Sequence, residues 1–167
     1  MALVPADLAR DLKAIMGGAA AQGSLATRQS VADDLTAAYD SYASKAQSCS
    51  AVPLTLANAS GLRTALRVAL RDDMPVPATT AAAMAAAFSA YWVGATFGPT
   101  GTVVVPGTPP TLAAALVGIA VASMATPSTV ETIAGQVAAA LDAFTRTVQA
   151  RDSAVPPPAG CGPAPIS

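Results

Sequence analysis

Apolar positions along the chain recur mostly at helical spacing, in six segments punctuated by Gly and Pro. Leu8, Leu12, Ile15 and Met16 share one face behind Pro5, which suits an opening helical turn, so the first helix is expected from Pro5 to Met16, ahead of Gly17-Gly18. Val31, Leu35, Ala38, Tyr39, Tyr42 and Ala46 step by threes and fours through a second helix near Arg28 to Gln47. Leu62, Leu66, Ala69 and Leu70 mark a third, about Ser60 to Asp72, which Pro75 and Pro77 close. A fourth runs from Ala81 to Phe97, with Thr79 or Thr80 as its cap and Met84, Phe88, Tyr91, Trp92 and Ala95 along one side. Thr111 opens a fifth to about Met124, along Leu112, Leu116 and Ile119. Ser128-Thr-Val-Glu131 reads as a capping box for the last, whose apolar face continues through Val148 to about Arg151.

Two segments do not fit this period. Residues 98–110 bracket Thr102 to Val105 with Gly and Pro, which predicts an extended arm or one short strand that leaves the helical body and lies against a neighbouring subunit. Residues 154–167 carry five prolines and no charge, and are expected to be an extended or disordered tail that folding does not need. The fold expected is therefore all-α, about six helices in one bundle-like domain over 1–153, with the arm at 98–110 and the Pro-rich tail at 154–167.

Composition sharpens the picture. Hydrophobic residues make up 53% of the 167 positions, aromatics only 4%, and much of the remainder is alanine, which orders cheaply in helices but buries little area. Net charge is −1, a balance that argues against sequence-independent nucleic-acid binding. The charges are unevenly placed: between Met74 and Val130 lie 57 residues without Asp, Glu, Lys or Arg. Burial against other subunits would explain so long an uncharged stretch, and so would a membrane. The latter fits poorly, because the fourth and fifth segments fall short of the ~20 apolar residues that a bilayer needs. The N-terminus lacks the basic start and apolar core of a signal peptide.

Catalytic chemistry is scarce. There is no histidine, so the commonest general base and zinc ligand are missing, and the one glutamate, Glu131, is assigned to the cap. Asp33-Asp34 and Asp72-Asp73 could hold a cation, but neighbours on a helix diverge by about 100°, which favours simple exposure. Cys49 and Cys161 have no metal or redox spacing and read as two free thiols or one disulfide. No enzyme, cofactor or metal site is expected. Arg63, Arg67 and Arg71 form a basic stripe, either a solvated face or a contact for DNA or an acidic subunit. Trp92 fits either an interface anchor or the largest core residue; with Tyr91, Phe97, Val103, Val104 and Val105 it makes the candidate subunit interface.

The run from Ala90 through Tyr91 and Trp92 to Phe97, followed by a Gly/Pro/Val loop, and the run Leu141 to Val148 closing an Ala-rich helix, resemble small Ala-rich virion structural proteins of tailed bacteriophages. The resemblance covers roughly residues 80–150. It implies a structural subunit repeated in a ring, as a head–tail connector or neck component, or else in the tail or baseplate. It also implies assembly in the host cytoplasm, with copies of itself and other virion proteins as partners and no small-molecule substrate. Two other classes compete: a holin-like membrane protein with a helical hairpin at 81–125, and a cytoplasmic helical adaptor or regulator.

Overall fold

The structure, a computed structural model, describes residues 3–19, 25–48, 50–71, 76–99, 101–152 and 164–167. Six helices are present among them: α1 (Pro5–Ala19), α2 (Leu25–Ala43), α3 (Ala59–Ala69), α4 (Pro77–Trp92), α5 (Pro109–Ala125) and α6 (Val130–Thr145). Each packs on the next in sequence, and α6 packs back on α1, so the six close a circuit. Leu8 and Leu12 of α1, Leu62 and Leu66 of α3, and Leu141 of α6 are buried, as their spacing predicts.

The fold is not purely α. Five short strands form one antiparallel sheet in the order β1 (Leu54–Leu56), β2 (Thr96–Phe97), β3 (Gly101–Val105), β4 (Gln149–Asp152) and β5 (Ala164–Pro165). β1 lies between α2 and α3, β2 and β3 between α4 and α5, and β4 follows α6. The C-terminal ends of α2, α4 and α6 therefore meet at the sheet, which caps one end of the helical circuit. Gln47 exchanges main-chain bonds with Ser167 (2.9 and 3.1 Å) and pairs with Pro53 beside β1, linking the two outer strands. That contact reduces the free edge that a short sheet would otherwise expose.

Several boundaries move from their expected places for identifiable reasons. α1 runs on through Gly17 and Gly18 to Ala19, since glycine lowers helix stability without forbidding the conformation. Helices α4 and α5 start earlier than expected, with proline in the first turn and no side-chain cap from Thr79, Thr80 or Thr111. The cap of α6 is Thr129, not Ser128: its hydroxyl accepts from the Thr132 amide at 3.2 Å, and Glu131 instead reaches Lys13 of α1 at 3.1 Å. α4 stops at Trp92 and α6 at Thr145, and the apolar pattern that continued past them belongs to β2 and to the approach to β4.

The expectation of a projecting arm is corrected. Residues 101–105 are the central strand of the chain's own sheet, paired with β2 on one side and β4 on the other. The turn after it depends on Gly107, whose φ is +94° and where a Cβ would sit 2.5 Å from the Phe144 ring. At the C-terminus, residues 164–167 do not trail away: Ala164 and Pro165 pair with β4, and Ile166 is 2% exposed in the core. Residues 154–163 of the expected tail lie outside the described residues.

Candidate functional site

All seven aromatic side chains are buried, those of α2, α4 and α6 near the helix C-termini, so they collect at the sheet end. Tyr39 meets Phe88 and Tyr91 edge to face, with ring centroids 4.7 and 5.2 Å apart, and Tyr91 meets Trp92 at 5.1 Å. Tyr91, Trp92 and Phe97 are completely buried, so the expectation that they face a partner is corrected: they fill this subunit's own core.

Their polar atoms are satisfied in an order that the chemistry dictates. The Trp92 indole N–H can only donate, and it donates to the Tyr39 hydroxyl at 2.9 Å. Thr145 Oγ1 donates to the Leu141 carbonyl at 2.8 Å, so at the 2.8 Å contact between Tyr39 and Thr145 the tyrosine must be the donor. Trp92, Tyr39, Thr145 and Leu141 thus form one directional chain inside the core. Beside it, Tyr91 donates to Asp40 at 2.7 Å and Tyr42 to Asp142 at 2.5 Å, and Arg146 holds the other oxygen of Asp142 at 2.9 Å. Burial first, and the neighbouring carboxylates second, push the Tyr42 and Tyr91 phenols far above their ordinary range. Burial does the same to Tyr39. These tyrosines are fixed neutral donors and hold the core in register.

The basic stripe is mostly occupied. Arg67 grips both oxygens of Asp33 on α2, with its Nε at 2.8 Å, and Arg63 approaches the same carboxylate at 3.8 Å. The Arg67 guanidinium holds the Asp33 carboxyl below the usual carboxylate range. Only Arg71 makes no ion pair among the described residues. The stripe therefore clamps α3 to α2 in the first place. Asp33 being spent on arginine also removes half of one candidate cation pair, while Asp72, Asp73, Cys49 and Cys161 lie outside the described residues. Among the described residues no three His, Cys, Asp or Glu side chains gather to hold a metal ion.

The three valines separate. Val103 packs on the core, Val105 is half-buried, and Val104 is 45% exposed on the outer side of β3. Of the expected interface set, Val104 alone offers substantial surface.

What remains outside is the uncharged helix pair. α4 and α5 pack on each other, yet of α5 only Leu112 and Leu116 are buried. Every exposed position of the two helices is Ala, Thr, Gly, Pro, Val or Met, and Val121 and Met124 are 51% and 69% exposed. Val93, just past the end of α4, adds a further 63% exposed side chain. Sequence reasoning found this uncharged stretch but placed its surface on the aromatics, which the fold turns inward, and on the valines, of which only Val104 stays exposed. No helix among the described residues is long and apolar enough to cross a membrane. No protein-family model, curated protein or solved structure matches the chain.

Proposed function

We propose that this chain is a structural subunit of a tailed-phage particle, a head–tail connector or neck component that acts by packing against copies of itself in a ring. The observation that carries the reading is the uncharged outer face of α4 and α5, exposed although its residues are apolar or small. A monomer rarely leaves a large apolar patch in water, and such patches mark surfaces that a partner covers. Small side chains let a neighbouring backbone approach closely, and the lack of charge removes the desolvation cost of closing the contact. The resemblance of residues 80–150 to Ala-rich virion proteins supplies the kind of assembly. A place in the tail or baseplate would use the same face.

Protein identification and copy counting on purified particles from a host encoding this chain test the reading. The expected result is a fixed, symmetric number of copies per particle. Complete absence from particles in cells that express the chain would overturn it.

A further inference from the structure

The sheet end and the opposite end of the helical circuit are built from different side chains. Aromatics and the hydrogen-bonded chain fill the first. At the second, the walls are aliphatic, and they leave a hollow of ≈ 360 Å³. It is lined by Met16 of α1, Leu35 of α2, Met84 of α4, Ile119 and Ala120 of α5, and Ile133 of α6, among others, so five of the six helices contribute large or small apolar side chains. The residues that bound it carry no charge, and only Thr80 and Ser123 bring a polar side-chain atom. The hollow opens to solvent between its half-buried lining residues, and its volume falls in the range of small-molecule pockets.

We infer that this end of the bundle is a binding site for an uncharged aliphatic chain, the chemistry of the acyl part of a lipid or of a medium-length alcohol. Three features set that class. The absence of charge disfavours ions and strongly polar ligands, whose desolvation nothing in the lining would offset. Depth sets length: the lining of α4 from Pro77 to Met84 rises about 10 Å, suited to an extended medium-length chain. Polarity sets the end group. Ser123 already donates to the Ala120 carbonyl at 2.8 Å, whereas the Thr80 hydroxyl has no hydrogen-bond partner among the described residues and lies one turn inside the helix start, where it can meet a single hydroxyl or carbonyl. Met16 and Met84, both half-buried at the hollow, are flexible and polarisable enough to close on chains of different length.

The site is independent of the outer face proposed for assembly, because Ala120 and Ile119 line the hollow while Val121 and Met124 are exposed. Titration of the full chain with 1-decanol, followed by calorimetry and native mass spectrometry, tests it. The expected result is saturable binding of one molecule per chain with a negative heat-capacity change, and no binding of a polyether of similar length. Ala120→Phe should weaken decanol binding by at least about tenfold while the melting temperature holds or rises, because the ring fills the hollow. Thr80→Val should weaken decanol but leave decane unaffected, a distinction that a purely structural role would not produce. Absence of saturable binding to the folded wild type would overturn the inference, as would wild-type binding by Ala120→Phe. A change of oligomeric mass in Ala120→Phe, with no decanol bound by the wild type, would assign the hollow to a second copy and equally overturn it.

Discussion

Thr145→Val, with Tyr39→Phe and the double variant, isolates the hydrogen-bonded chain at the core. In Thr145→Val the shape is nearly kept, but the buried Tyr39 hydroxyl loses its acceptor. A buried donor left unmade costs about 1–3 kcal/mol. In Tyr39→Phe the Trp92 N–H is orphaned instead, at a similar cost, while Thr145 keeps the Leu141 carbonyl. The double variant has only the indole unsatisfied, since no tyrosine hydroxyl is left to orphan. Its total loss should therefore fall short of the sum of the singles by about 1–3 kcal/mol, well above the few tenths by which independent sites depart from additivity. Each single should lower the melting temperature by roughly 2–4 °C per kcal/mol lost. Urea unfolding followed by the fluorescence of Trp92, the only tryptophan, gives all four stabilities from one probe inside the network. Additive losses would mean that the three side chains are not coupled as described, and the donor order would have to be abandoned.

Other outcomes follow from the same structure. Ile166→Ala should destabilise by about 2–5 kcal/mol in urea, as a buried aliphatic in the core does; a loss within error would mean that β5 is only loosely attached. Gly107→Ala should destabilise, because φ is +94° there and Phe144 blocks the Cβ, whereas Gly118→Ala, exposed on α5 with open space around it, should stabilise by about 0.5–1 kcal/mol. Equal effects at the two glycines, read as thermal midpoints, would refute that contrast. The Asp33 and Asp7 carboxyls are held below their ordinary range by Arg67 and Lys45 respectively. Each therefore contributes stability above the unfolded carboxyl value of about 3.9 that is lost as pH falls through its lower folded value. Asp33→Asn should flatten the acid limb of the stability profile below about pH 4, and an unchanged limb would show that the Arg67 pair does not matter to folding.

The helices were legible because their apolar residues repeat over ten or more positions, and six of them stand where the pattern put them. The sheet was not, for particular reasons. β2 is two residues long and follows α4 with an apolar register that looks like more helix. β4 reads Gln-Ala-Arg-Asp, poor strand formers that become a strand only because Gly101 to Val105 pair with them. Val103 to Val105 were recognisable as extended, but nothing local says that their partner is the chain's own β4, some 50 positions onward. The same limit hid the site. The stripe Arg63, Arg67 and Arg71 was plain from spacing, yet its counter-charge Asp33 lies 34 positions before Arg67. Tyr39 and Thr145 are 106 positions apart, so the network that draws Trp92 inward could not be read from either segment. What composition did reveal was the uncharged stretch, because a missing charge is visible without knowing any contact.

The most direct test of the assembly proposal is the mass in solution of the full chain and of a variant carrying Ala86→Glu and Gly118→Glu. Both positions are exposed on the outer face of α4 and α5, and neither substitution enters the core. Across a dilution series in analytical ultracentrifugation, the wild type should associate into a closed oligomer of one size. The variant should stay monomeric with unchanged circular dichroism, since two new carboxylates per copy would have to be buried at each contact. A wild type that remains monomeric at the highest concentration reached, or a variant that assembles as well as the wild type, would contradict the account.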